Sequence, residues 1–226
     1  MIDKDKVYFI GDIHGQWQCL IKALNDIMSS ENDATGLTFI QLGDFGLYKN
    51  SKRFQLIMDT VNSMLDMSKS IMYVLRGNHD NPMLFDESLN KIWKSHIIPI
   101  GQVRKIDDIL FIPGGISFDR KYRSLGNTYW NEECIDLIDE NWIDENKDSI
   151  NYIISHVPPI ILEAERKYAK FGDMNLLKDI EEERNYLKSL NDKINPKKWY
   201  AAHLHKKVEN DNVIVLDIAE GLKFFK

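Results

Sequence analysis

Cysteine is nearly absent from this chain: Cys19 and Cys134 are the only two among 226 residues. Two cysteines without ligand spacing exclude a disulfide-stapled scaffold and a cysteine-based zinc site. Both stand in stretches that read as helical, so they are expected to be buried and reduced, in keeping with a cytoplasmic protein. A basic excess is lacking as well. Lys and Arg total 29 against 35 Asp and Glu, a formal net charge of −6, so the composition gives no footprint of the kind that holds nucleic acid through its phosphates. No run of apolar residues approaches membrane-spanning length, and the segment Met1 to Lys6 is polar and charged rather than an apolar export signal. No membrane association is expected. Internal repeats, low-complexity tracts and Pro/Gly/Ser-rich linkers are missing too, which leaves one domain over residues 1–226 as the expected organisation.

What is present is an ordinary globular balance, 43% hydrophobic and 28% charged residues. Short β-rich apolar runs recur at Val7 to Ile10, Thr38 to Leu42, Ile71 to Leu75, Ile109 to Ile112, Tyr152 to Ile154, Trp199 to Ala202 and Val213 to Ile218. They read as buried strands. Trp17, Leu20, Ile21, Leu24 and Met28 fall at helix-face spacing, as do Phe54, Ile57, Met58, Val61 and Leu65 behind a plausible N-cap at Ser51. A third helix runs through Leu177, Ile180, Leu187, Leu190 and Ile194, its alternating charges predicting a solvated opposite face. Strands alternate with helices early and crowd together from Ile97 onward, which predicts an α/β protein with strands in more than one sheet.

The strand ends carry the chemistry. The first runs into Gly11-Asp12-Ile13-His14-Gly15, where Asp12 and His14 are two apart and their side chains can point the same way. The second ends in Gly43-Asp44, the third in Arg76-Gly77-Asn78-His79-Asp80. Later strands lead into Ser155-His156 and Ala202-His203-Leu204-His205. Taken singly, each is ordinary: Asp12-x-His14 can be a capped turn, Asp44 a turn residue, Asn78 or Asp80 a helix N-cap, and a lone His on an apolar strand a hydrogen-bonded core residue. Five of the six histidines nevertheless stand just beyond strand ends, with only His96 elsewhere, and packing does not account for that distribution. Imidazole and carboxylate together suit Mn, Fe, Ni or Zn better than Mg or Ca, and two such ions bridged by a carboxylate form a clamp for phosphoryl transfer.

In their order D-x-H, G-D, G-N-H-D, H and A-H-x-H, these five blocks resemble the calcineurin-like metallophosphoesterases, specifically the small bacterial and phage type. The match spans nearly the whole chain. The resemblance implies two mixed β-sheets packed face to face and flanked by helices, with two divalent metal ions, Mn first among the candidates. Carried over by position, Asp12, His14 and His205 hold one ion, Asn78, His156 and His203 hold the other, and Asp44 bridges them. Water activated between the ions attacks phosphorus in line, and His79 hydrogen-bonds the phosphate or protonates the leaving oxygen. The implied activity is hydrolysis of phosphate mono- or diesters, with a nucleotide or other small phosphorylated molecule as substrate.

Three departures qualify the likeness. Ala202 replaces the Gly of G-H-x-H, a small residue that should preserve the turn. Leu47 and Tyr48 stand where the serine/threonine protein phosphatases carry an Asp that orients the third-block His and an Arg that grips phosphate, which weakens that alternative reading. The segment Phe111 to Arg123, followed by Trp130, resembles one found in the small members. From it Arg120 and Arg123 are candidates for the substrate phosphate, and Arg76 is a third; a solvated basic loop and a carboxylate partner for Arg76 are the plainer readings. A non-catalytic scaffold of the same fold is the reading from another class. Such a protein should have lost ligands, and none of the seven is missing. A nuclease is disfavoured by the acidic charge and by the lack of room for a DNA-holding extension.

Overall fold

Described here is a computed structural model, over residues 2–86, 92–163, 165–167 and 174–223. Eleven strands form two sheets among the described residues. The first contains β1 (Val7–Ile10), β2 (Thr38–Gln41), β3 (Ile71–Leu75), β4 (Ile97–Ile100) and β11 (Gly221–Lys223), in the order β11-β1-β2-β3-β4. The second contains β5 (Arg104–Ile106), β6 (Ile109–Ile112), β7 (Tyr152–Ser155), β8 (Lys198–Ala201), β9 (Val208–Asn210) and β10 (Val213–Val215), in the order β5-β6-β7-β8-β10-β9. Strands β1 to β4 are mutually parallel, as are β6, β7, β8 and β10, and antiparallel β11, β5 and β9 close the edges.

The central strands are apolar on both faces because both faces are covered. Val7 and Phe9 of β1, Ile40 of β2, Tyr73 and Leu75 of β3 pack against Phe111, Ile154 and Tyr200 of the other sheet. Phe9 and Tyr200 stack at 4.1 Å between centroids, so the sheets meet face to face. Alternate residues Tyr8, Ile10, Phe39, Met72 and Val74 face α1 (Trp17–Ser30) and α2 (Lys52–Met67) through Leu20, Leu24, Met58, Val61 and Leu65. Ser51 caps α2 as its position predicts, accepting from the Phe54 N–H at 3.1 Å. On the outer face of the second sheet, Leu110, Ile153, Trp199 and Val215 meet α3 (Glu140–Asn146) and α4 (Met174–Ile194).

Several expectations change in detail. The run Val213 to Ile218 is strand only to Val215, β4 is a further apolar strand beside those expected, and β5, β9, β11 and α3 are elements the apolar pattern does not announce. Cys134 lies exposed in a loop rather than buried in a helix. The charged face of α4 is not wholly solvated either. Glu183 and Arg184 turn inward, where Arg184 Nη1 lies 2.5 Å from Glu183 Oε2 and Nη2 lies 3.5 Å from the buried Glu165 Oε1. Burial raises both glutamates above the usual carboxylate range, and the Arg184 charge holds them down.

One cation for two buried acids makes Arg184 a structural keystone. Arg184→Met should cost roughly 3–5 kcal/mol in urea unfolding at neutral pH, because it strands uncompensated carboxylates. A carboxyl with a raised folded pKa binds its proton more readily in the native state, so the deficit should shrink as pH falls. A deficit constant from pH 5 to 8 would show that the charges are not what the residue supports.

Candidate metal centre

Since β1, β2 and β3 are parallel, as are β7 and β8, their carboxyl ends carry five loops to one place. Hydrogen bonds interlock these loops. Ile13 N–H and His14 N–H donate to the Asp44 carbonyl at 3.1 and 2.7 Å, His79 N–H donates to Asp44 Oδ1 at 2.8 Å, and Ala202 N–H donates to the His156 carbonyl at 3.0 Å. His203 N–H reaches the Asp12 carboxylate at 3.2 Å. His14, Asp44, His203 and His205 all hold positive φ (46, 49, 70 and 47°). Left-handed backbone at non-glycine residues costs on the order of 1–3 kcal/mol each and persists only where surrounding bonds enforce it. Gly43 lets the sheets approach: at φ 100° its Cβ would fall 2.5 Å from His156 Nδ1.

Two groups of side chains result, Asp12, His14, Asp44 and His205 in one and Asp44, His156 and His203 in the other, with donor atoms in each within 4.8 Å of one another. In the first, His14 Nε2 and His205 Nε2 are 2.8 Å apart, and Asp12 Oδ2 lies 3.2 Å from His205 Nε2. Asn78 joins the second, its Oδ1 lying 2.8 Å from His156 Nε2 and 3.0 Å from His203 Nδ1. The chemistry of this second set fits a cation. His156 Nδ1 donates to the Leu42 carbonyl at 2.9 Å, which leaves Nε2 a lone pair in the neutral ring, and Asn78 spends its Nδ2 on Ser117 Oγ at 2.8 Å. In a neutral His156 ring, Nε2 and Asn78 Oδ1 therefore face each other as acceptors, an arrangement that a metal ion would satisfy.

Where no metal is bound, protons do part of that work. Burial by itself lowers His156, but the Asp44 and Asp12 carboxylates outweigh it and push the ring up to about 9. His205 is raised by its hydrogen bond to Asp12, whereas burial and the neighbouring His156 charge hold His203 well below the usual imidazole range. Asp44 is fully buried, yet His156, His79 and His14 keep it well below the usual carboxylate range. A metal ion entering either group competes with these protons.

His79 stands beside the cluster, its Nε2 3.9 Å from Asp44 Oδ2. Arg123 packs on it, its Nη2 lying 2.6 Å from His79 Nδ1 and also in contact with Nε2, and is itself fixed by Asp119 Oδ1 at 2.6 Å and the Thr128 carbonyl at 3.1 Å. Burial, reinforced by the Arg123 charge, lowers the His79 pKa to about 4. The other two arginines are engaged elsewhere. Arg120 pairs with Asp179 of α4 at 2.7 Å. Arg76 is 3% exposed and donates to the carbonyls of Gly101, Glu132, Glu133 and Cys134, so four of its five N–H donors meet backbone and none of these bonds faces a substrate. These bonds give it a structural role. Asp80 does not orient His79: its carboxylate accepts from the amides of Phe45, Gly46, Leu47 and Gly77 at 2.8–3.0 Å. Behind Asn78 lie Ser117 and Glu133, the latter a buried carboxylate that sequence reasoning passed over because nothing in its local pattern marks it.

Candidate metal-ligating side chains thus gather between two mixed sheets, at the carboxyl ends of their strands. The sequence matches the calcineurin-like phosphoesterase family model over residues 5–207, and the chain belongs to that family. No curated protein matches it. Among solved structures it is similar to a protein serine/threonine phosphatase from Saccharomyces cerevisiae, described as having similarity to human phosphatase PP5. That likeness has 14% identity and a TM-score of 0.38, and covers 95% of this chain and 67% of the other.

Because Asp80 satisfies four amides of the loops that carry Asp44 and Asn78, Asp80→Ala should destabilise the fold by about 3 kcal/mol or more. Asp80→Asn keeps one acceptor and should fall between. Urea unfolding checks both, and an alanine cost under about 1 kcal/mol would mean that water replaces the carboxylate.

Proposed function

We propose that this chain is a dinuclear, divalent-metal-dependent hydrolase of phosphate mono- or diesters, acting on a small phosphorylated molecule such as a nucleotide. The observation that carries the reading is Asp44. Its Oδ2 faces His14 Nε2 at 3.5 Å while its Oδ1 faces His156 Nε2 at 3.4 Å, so one buried carboxylate belongs to both groups. Asp12, His14 and His205 would hold one ion, Asn78, His156 and His203 the other, and Asp44 both. Mn²⁺ suits this mixture of imidazole and oxygen donors, as do Fe, Zn and Ni. When bound, such a pair supplies an activated water and neutralises charge on the phosphoryl oxygens.

The chain's own residues then bind and orient. Arg123, held from two sides, offers a preorganised guanidinium for phosphate beside His79. In the position where protein phosphatases carry their Arg stands Tyr48, 36% exposed, its phenol pushed up to about 12 by burial and by the Asp80 and Asp44 charges. A cation delivered from the segment after β6 and an aromatic ring at the rim suit a planar base better than a phosphorylated protein surface. Burial and the Arg123 charge keep the His79 ring neutral, and it is assigned as a hydrogen-bond donor to phosphate oxygens rather than as the acid.

The purified protein should bind two Mn²⁺ per chain and lose activity in chelator, and Asp44→Asn should lower kcat by roughly 10³-fold or more. Absence of bound metal after reconstitution, with no hydrolysis of any phosphate ester, would favour the scaffold reading. Across aryl and alkyl phosphates His79→Ala should lose a similar factor, and Arg123→Ala should chiefly raise KM. A loss on alkyl phosphates about 10²-fold beyond that on p-nitrophenyl phosphate would instead make His79 the general acid.

A further inference from the structure

An asparagine ligand carries an ambiguity that a carboxylate does not. Its two ends have nearly the same shape, yet only the oxygen can bind a metal, and a half-turn of the amide presents two N–H donors instead. A flipped Asn78 would turn these donors toward His156 Nε2 and His203 Nδ1, which stand 2.8 and 3.0 Å from its outer atom, and would take its oxygen out of the ligand set. Something must keep the oxygen outward.

We propose that Glu133 and Ser117 form a one-way hydrogen-bond relay that fixes Asn78 with its oxygen toward the metal. The inference rests on the assignment of Asn78 as a ligand. Ser117 Oγ donates its single proton to Glu133 Oε2 at 2.7 Å, and Ser117 N–H donates to Glu133 Oε1 at 2.8 Å, so the carboxylate grips Ser117 at two points. Burial pushes the Glu133 carboxyl up to about 7; while it is ionised Ser117 Oγ can only accept, and the atom facing it at 2.8 Å is the Asn78 amide nitrogen. All three residues are buried. Glu133 is held in turn: its backbone carbonyl accepts from Arg76 Nη1 at 2.9 Å and from Gly115 N–H at 2.8 Å. Arg76 thus acts two residues before the ligand it helps to orient, by anchoring the strand of chain that carries Glu133. Glu133, Ser117 and Arg76 are positioning residues and touch no substrate.

The relay has a direction, and reversing it is the test. In Glu133→Gln the side-chain oxygen can still accept from Ser117 N–H, but the new amide donates to Ser117 Oγ, whose proton then turns to Asn78 and selects the flipped amide. Titration with Mn²⁺ alone, followed by calorimetry and by the electron paramagnetic resonance of the coupled ion pair, should show one ion bound as in the unaltered chain. The other should be weakened about 10- to 100-fold, the range typical for partners of metal ligands. Asn78→Asp has like ends, so in that background Glu133→Gln should leave metal affinity unchanged. If Glu133→Gln fails to fold, Ser117→Ala serves: it removes the selection without reversing it and should weaken the same ion by less. Equal affinity for both ions in a folded relay variant and in the unaltered chain would overturn the relay while leaving the metal centre standing. An unaltered chain that binds no Mn²⁺ would overturn the metal reading itself.

Discussion

The fold turns on one buried charge. Asp44 sits between the sheets with its carboxylate removed from water, a placement that costs several kcal/mol unless partners compensate. Compensation comes from His156 on one sheet, from His14 and His79 on the other, and from the His79 amide. Each partner lies at the carboxyl end of a parallel strand, so the requirement to neutralise Asp44 and the parallel order of the strands are one constraint seen twice. The Asp44 carbonyl meanwhile holds the amides of Ile13 and His14, which keeps the first loop in its left-handed turn. Gly43 permits the approach, since a larger residue would push His156 off the carboxylate it serves.

How much of this was legible in the sequence depends on the range over which each signal acts. Strands buried on both faces write themselves as continuous apolar runs, so β1, β3 and β6 are read to the residue. Edge strands carry no such signal: β5 is Arg-Lys-Ile and β9 Val-Glu-Asn, half solvated and paired on one side only. The clustering of metal-binding residue types was legible because Asp, Asn and His beyond successive strand ends are meaningful in any parallel sheet. Side-chain partners were not. Arg120 finds Asp179 and Arg76 finds carbonyls in 132–134, pairings fixed by how distant segments pack rather than by anything near either arginine. Glu183 reads as one charge in a charged helix, and its inward turn follows from lying at the spacing of Ile180 and Leu187 on the core stripe.

Leu47 and Tyr48 pose the question of where positive charge comes from in a chain of net charge −6. The loop after β2 supplies no cation at those positions. Instead the segment after β6 delivers Arg123, and Asp119 stands behind it as a carboxylate partner to the guanidinium. Such an arrangement separates the two duties of a phosphate site. The strand-end loops, locked by backbone bonds to Asp80 and Asp44, place the candidate ligands, while the segment after β6 would carry the charge for a substrate phosphate and also braces Asn78 through Ser117.

The centre gathers more lone pairs than it has protons to share. In a neutral His156 ring Nε2 faces Asn78 Oδ1 as acceptor to acceptor, with His203 Nδ1 beside them, and a cation would compete with the protons the rings hold. The cost appears in the metal-free fold, which must draw protons onto His156 and His205 and keep Asn78 from turning. Binding that occurs in the folded state and not in the unfolded one adds stability by mass action, about 4 kcal/mol at a thousandfold excess over Kd. Strain held in the left-handed residues and frustration held in facing lone pairs would thus be offset together by a bound ion.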